Sequence, residues 1–294
     1  MKLFEHALVL GGINGLYRVE TEDGILLCRG ASKIRKNGLK LMAGDRVTAE
    51  DNGDDTGFIR EVDPRINSLV RPPIANIGLL VLVIAATAPK PAPYTLDKLT
   101  VIAEKSKIPV AIAITKSELG GADEIAAHFH GTPYPIFFLA EKGTVGGEAL
   151  LEYLKGKTSV FCGASGVGKS TLLNRLFPQL QAEVGELSEK IQRGKNTTRA
   201  TTLYSVGNGT YIADSPGFTM LDTEMCCRLE KEELPTLFPE MEPFIGSCRY
   251  TRCGHTCEEG CRILEEVEMG RISRERHESY CKLFREMKDL HLFK

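Results

Sequence analysis

The sequence predicts a multidomain chain: a small closed β-barrel at the amino end, a central α/β domain on a mostly parallel sheet, and a cysteine- and histidine-bearing module with helices behind it. Three observations predict this. Short apolar runs alternate with turn residues up to about residue 68; longer, continuous apolar runs alternate with helical stretches after it; and a tight cysteine group precedes a charged helical tail. The expected boundaries are 1–68, 69–222 and 223–294.

Composition sets the outer limits. With 294 residues, 42% apolar and 26% charged, the chain is long enough for two or three domains with ordinary cores. A formal net charge of -2 gives no global attraction to polyanions, so any nucleic-acid contact has to come from local patches. The amino end, MKLFEHALVLGGING, lacks a basic segment followed by a long apolar one, and no run reaches the roughly 18 apolar residues of a spanning helix. A cytoplasmic protein without membrane contact is the expectation. Nine cysteines, an odd number, stand singly except for the group between 248 and 261, which reads as metal binding and not as a disulfide framework.

From Gly15 to Val62 the runs LYRVE, ILLCRG, DRVTAE and FIREV are separated by TEDG, MAGD and DNGDDTG, which are hairpin signals. Several strands so closely spaced suggest a small barrel, of which the OB-fold is the nucleic-acid-binding version. Arg29, Lys33, Arg35, Lys36 and Lys40 follow one another without an acid. They suit a groove for phosphates or a solvated hairpin equally well, because the rest of the segment is rich in Asp and Glu.

After the linker NSLVRPPIANI, the runs IGLLVLVIAA, VAIAI and IFFL alternate with LDKLTVIAEKS and GEALLEYLKG, the pattern of strands buried on both faces of a parallel sheet. A further strand, TSVFC, leads into GASGVGKS and the helix KSTLLNRLF, the strand, loop and helix context of a P-loop. In Gly163, Ala164, Ser165, Gly166, Val167 and Gly168 the glycines let backbone amides close around a β-phosphate, while the helix directs its positive end at the anion. Lys169 neutralises the β- and γ-phosphates, and Ser170, followed by Thr171, supplies a hydroxyl for Mg²⁺.

Downstream, TYIADSPGF ends an apolar strand with Asp214, a carboxylate suited to holding Mg²⁺ through water, and Gly217, whose amide suits the γ-phosphate. Between these motifs the polar loop GKNTTRATT carries hydroxyls for the same Mg²⁺. Thr198 is the preferred metal contact, with Thr197 as its alternative.

A P-loop does not read the base. The strand VAIAI ends in Thr115, Lys116, Ser117 and Glu118, at the carboxyl end of a parallel strand, where open α/β sheets bind ligands. This resembles the guanine-specificity motif N/T-K-x-D of translation-factor-type GTPases, and the later FFLAEKG resembles the loop that closes over guanine. A carboxylate at Glu118 accepts from the ring N–H and exocyclic amine, while the stem of Lys116 lies along the base. Adenine presents an acceptor there and leaves the carboxylate unpaired. The motif order is therefore rotated, with the base reader ahead of the P-loop, a circular permutation that leaves the site unchanged.

With barrel, permuted GTPase and Cys/His module in this order, nearly the whole chain resembles the RsgA (YjeQ) family, the small-ribosomal-subunit-dependent GTPases of bacteria. The resemblance implies hydrolysis of GTP to GDP stimulated by the small ribosomal subunit, contact with its rRNA, and a role in late subunit maturation, with monomer as the expected state. Cys248, Cys253, His255 and Cys261 stand in a C-x4-C-x-H-x5-C arrangement that resembles the family's zinc site, and three thiolates with one imidazole make a closed structural centre. Cys257 is an alternative ligand by composition alone.

Two positions depart from the family pattern. Glu118 stands where Asp is usual, which keeps the charge and moves it by a methylene. Phe218 occupies the place where many small GTPases orient water with Gln, and Asn196 stands where the family's G-x-H-T-T carries His. An asparagine amide positions water but takes up no proton at neutral pH. Asn196, Thr198 and Lys169 are thus the candidate catalytic residues, and slow hydrolysis by the free protein is expected.

Overall fold

The computed structural model describes residues 2–36, 38–70, 72–180, 201–214 and 229–290. The chain divides into two compact units, Met1–Leu80 with Leu150–Phe161 and Ser170–Phe218, and Val81–Ala149 with Cys162–Lys169 and Thr219–Lys294.

In the first unit, β1 (Lys2–Ile13), β2 (Leu16–Thr21), β3 (Gly24–Gly30), β4 (Arg46–Asp51) and β5 (Thr56–Val62) close into a barrel of order β1-β2-β3-β5-β4. β3 runs parallel to β5 and the other pairs are antiparallel, a five-stranded barrel of the OB class. Alternation makes it: along β3, Leu26 and Cys28 point inward while Ile25, Leu27 and Arg29 face solvent. The interior is filled by Phe4, Val9, Val19, Val47, Ala49 and Ile59, with Ile34 of the short helix α1 (Ser32–Lys36). Arg29, Lys33 and Lys40 are exposed.

The longest barrel strand, β1, is missing from the strands expected from the sequence, and its pattern explains why. KLFEHALVLGGI does not alternate, because the strand serves β4 with its first half and β2 with its second. The register shifts between Phe4 and Ala7 and again between Val9 and Gly11, and these bulges bend the strand around the barrel.

The segment read as a linker carries secondary structure in its described residues. It forms β6 (Ser68–Leu69) and β7 (Ile74–Ala75), paired antiparallel. Asn67 exchanges two hydrogen bonds with the backbone of Ile77, and Asn76 Nδ2 donates to the Gly44 carbonyl at 2.9 Å. Two asparagine amides replace the ladder bonds that so short a pair lacks.

The remaining elements are β8 (Leu79–Ala85), α2 (Pro93–Lys105), β9 (Val110–Thr115), α3 (Ala122–His128), β10 (Ile136–Leu139), α4 (Gly147–Leu154), β11 (Thr158–Cys162), α5 (Lys169–Leu176), β12 (Thr202–Gly207), β13 (Thr210–Asp214), α6 (Arg262–Glu268) and α7 (Arg274–Leu290). Within the second unit the strand order is β10-β9-β8, and within the first it is β11-β13-β12. β8 and β9 are buried at every position, as expected of strands covered on both faces. β12 departs from the parallel pattern and runs antiparallel to β13.

The charged tail forms two helices. Gly270, at φ +74°, takes a left-handed turn that ends α6 and lets α7 start afresh. Arg276, Tyr280, Leu283 and Met287 fall on one stripe of α7 and enter a core with Leu237, Phe238, Met241, Ile263 and Val267. Val101 of α2 belongs to that core, so the tail packs on the α/β segment as well as on its own module. Among the described residues, no helix is long and apolar enough to cross a membrane.

Candidate nucleotide site and metal centre

The P-loop lies between β11 and the first turn of α5. Gly163 is required by proximity, since a Cβ there would stand 2.3 Å from the Val83 carbonyl. Gly166 and Gly168 hold φ +82° and +94°, conformations that curl successive amides toward one concavity. Ala164, Ser165, Ser170 and Thr171 are exposed around it, Lys169 is half-buried at the helix start, and Val167 is buried beneath. Burial pushes the Cys162 thiol up to about 12, so it is an inert packing group behind the loop.

The end of β9 is fastened to this loop. Thr115 Oγ1 donates to the Val167 carbonyl at 2.5 Å, and Lys116 Nζ donates to the Gly166 carbonyl at 3.4 Å and to the Ala88 carbonyl. Lys116 itself sits at φ +57°, a left-handed bend that turns the chain out of the sheet into the Ser117–Leu119 turn. Glu118 lies on that turn, exposed, and Ser117 is half-buried. Two residues on from Leu119, Gly121 passes so near β8 that a Cβ would stand 2.6 Å from the Ala86 carbonyl. The structure therefore brings Thr115 and Lys116 onto the P-loop, although the loop follows them by some fifty positions.

Ala88 is a contact that the sequence reading missed. A backbone carbonyl leaves no signature in residue type, so nothing in the string marks it.

Asp214 closes β13, whose parallel register with β11 pairs Val160 with Ala213 and sets the Asp214 backbone at the P-loop end of that strand. Asn196, Thr197, Thr198, Gly217 and Phe218 lie outside the described residues.

In the tail module, the ligand atoms of Cys248, Cys253, His255 and Cys261 all lie within 4.8 Å of one another. Cys248 Sγ and Cys261 Sγ are each 3.5 Å from His255 Nδ1 and 3.8 Å from each other. A tetrahedral zinc ion, with bonds of about 2.3 Å to sulfur and about 2.0 Å to nitrogen, separates sulfur from sulfur by about 3.8 Å and sulfur from nitrogen by about 3.5 Å. The donor set fits one Zn²⁺. Cys257 is exposed and stands outside the cluster.

Glu258 organises this centre, which the sequence reading also missed. Its carboxylate accepts backbone hydrogen bonds from Gly254, Thr256 and Cys257 at 2.8–3.0 Å. Burial opposes its charge, yet these amides outweigh burial and hold its pKa down to about 2. A Cβ at Gly254 would stand 2.7 Å from Glu258 Oε1, so a side chain there would push on the carboxylate that holds the loop. Tyr280 Oη donates to the Gly254 carbonyl and His277 Nε2 to that of His255, tying the loop to α7.

Comparison with known proteins supports the same chemistry. A family model described as RsgA GTPase matches residues 62–224, and one described as RsgA N-terminal domain matches residues 7–59. The small ribosomal subunit biogenesis GTPase RsgA of Alkaliphilus metalliredigens is 35% identical over 95% of this chain and 97% of its own length. That of Ruminiclostridium cellulolyticum is 36% identical over 98% and 95%. Among solved structures, YloQ, a circularly permuted GTPase, superposes with a TM-score of 0.79 at 30% identity, covering 99% of this chain and 96% of that one. YjeQ from Thermotoga maritima gives 0.80 at 32%, covering 97% and 99%.

Proposed function

The chain belongs to the RsgA family of GTPases, and from that premise we propose how its own residues perform GTP hydrolysis in small-ribosomal-subunit biogenesis. It is a circularly permuted GTP hydrolase that uses GTP/GDP and Mg²⁺. The observation that carries the assignment of roles is the pair of hydrogen bonds from Thr115 and Lys116 to Val167 and Gly166. They support reading Thr115, Lys116 and the phosphate loop as parts of one site.

In this reading the amides from Gly163 to Gly168 cradle the phosphates, and the exposed Ser165, Ser170 and Thr171 face the nucleotide. Lys169 places its charge on the β- and γ-phosphates. Glu118 accepts from guanine while the Lys116 stem lies along the ring. Ser170, Thr198 and Asp214 would hold Mg²⁺, which would offset phosphate charge, and Gly217 would offer an amide to the γ-phosphate. Asn196 orients the attacking water; since it takes up no proton and Phe218 offers no polar group, hydrolysis is slow until the small subunit completes the site.

The subunit and its rRNA are met by the exposed Arg29, Lys33 and Lys40 of the barrel and by the metal module, whose one Zn²⁺ is structural. The protein acts as a cytoplasmic monomer.

Single-turnover GTP hydrolysis titrated with purified small subunits tests the reading. Phosphate release that accelerates with subunit concentration is expected. A rate that the subunits leave unchanged, at a measurable level, contradicts it; binding without any hydrolysis would instead make the chain a nucleotide-controlled rRNA-binding factor.

A further inference from the structure

Arg276 is fully buried on the core stripe of α7, an unusual place for a guanidinium. It donates to both oxygens of Glu240 and, from Nη1, to Asp97 Oδ1 of α2 at 2.7 Å. Asp97 and Glu240 are themselves buried, and His128 Nε2 of α3 lies 2.9 Å from Asp97 Oδ1. Well-packed apolar residues stabilise a core as well as a buried ion cluster does. What the cluster adds is register, because a guanidinium fork shared between two carboxylates fits a single placement of α7 on α2. The same turns of α2 are held from outside, where Tyr94 Oη donates to Glu286 and Lys98 Nζ lies 4.0 Å from it.

Those turns connect directly to the base reader. Pro93, the first residue of α2, follows Ala88 by five positions, and the Ala88 carbonyl accepts from Lys116 Nζ. Pro89 Cδ stands 3.7 Å from where a Cβ on Gly166 would lie. The loop from 86 to 92 is thus held at one end by the tail helix, through α2, and at the other by Lys116, whose Nζ also donates to the Gly166 carbonyl of the P-loop.

We propose that Arg276 is a positioning residue for the guanine nucleotide: it fixes the first turns of α2, and through them the Ala88 loop that seats Lys116. The proposal rests on Lys116 lying along the base, as assigned above. Coupling of this kind is reciprocal, so a guanine nucleotide tightens the docking of α7 by the factor with which α7 tightens the nucleotide. The path runs from α7 through α2 to the loop from 86 to 92.

The test uses the full-length protein and fluorescently labelled GDP and ADP. Wild type that binds GDP no better than ADP overturns the guanine reading itself. Where GDP is preferred, Arg276→Lys, which keeps the charge but cannot span both carboxylates, is expected to weaken GDP by about fivefold. In a Lys116→Met background the same change is expected to cost less than about twofold. A merely structural role would weaken GDP equally in both backgrounds and overturns the proposal. Tyr94→Phe, which loosens α2 from the exposed side, is expected to act in the same direction and carries the test alone if Arg276→Lys does not fold. GDP is also expected to slow hydrogen exchange across α7 in wild type and not in Lys116→Met; exchange that GDP leaves unchanged in wild type overturns the proposal.

Discussion

Thr115 and Val167, 52 residues apart in the chain, are joined by a 2.5 Å hydrogen bond from the threonine hydroxyl to the valine carbonyl. Thr115 is 7% exposed, so the bond is shielded from water. Thr115→Val keeps the shape and leaves the Val167 carbonyl without this donor, which costs about 1–3 kcal/mol. Nucleotide titration is expected to show GDP affinity falling about tenfold, which is about 1.4 kcal/mol. Unchanged affinity would mean that the loop holds its form without the strand.

Glu118→Ala removes the acceptor assigned to the guanine ring. Hydrogen bonds to a charged group are worth about 1.5–3 kcal/mol, so GDP is expected to weaken by about 10- to 150-fold while ADP is little affected. Glu118→Asp shortens the reach by one methylene and is the variant nearest the family pattern. Competition binding of GDP against ADP measures both. A preference for GDP that survives Glu118→Ala would move base reading to another residue.

Metal analysis of purified protein checks the tail centre. Wild type is expected to hold one zinc, Cys253→Ser to lose it and unfold the module, and Cys257→Ser to keep it, since metal binding at such sites is coupled to folding. Glu258→Ala leaves all four ligands in place but frees the amides of Gly254, Thr256 and Cys257, and is expected to lower zinc retention against a chelator by about tenfold. Retention equal to wild type would reduce Glu258 to a loop contact.

His128 makes stability depend on pH. Burial disfavours its charge, but the hydrogen bond and charge of Asp97, and then the hydrogen bond of Glu275, outweigh burial and Arg276 and raise its pKa above the ordinary imidazole value. A raised folded pKa means that the stabilisation is complete below about 6.5, where the unfolded imidazole is charged, and is lost as pH rises through the folded value. Melting temperature is expected to fall across that window in wild type and to stay flatter in His128→Gln. Parallel profiles would show that folding leaves the pKa of this imidazole unchanged, and wild type gaining stability as pH rises would show that it is held neutral.

The string already held the barrel strands from β2 onward, the sheet strands other than β12, the P-loop and the zinc spacing. Each is written in local periodicity or in residue types whose chemistry admits few other uses: glycines where φ is positive, thiols and imidazole at ligand spacing, apolar runs where both strand faces are covered. β1 was not legible because its two halves serve different neighbours and its bulges break the alternation.

Tertiary structure alone decided which distant residues meet. The Ala88 carbonyl under Lys116, the Asp97 and Glu240 carboxylates around Arg276, and the amides around Glu258 join groups that no local rule pairs. Periodicity reports which face of an element is buried. It does not report what lies opposite, because that is fixed by the packing of whole elements against each other, and a buried charge is tolerated only where that packing delivers its partner.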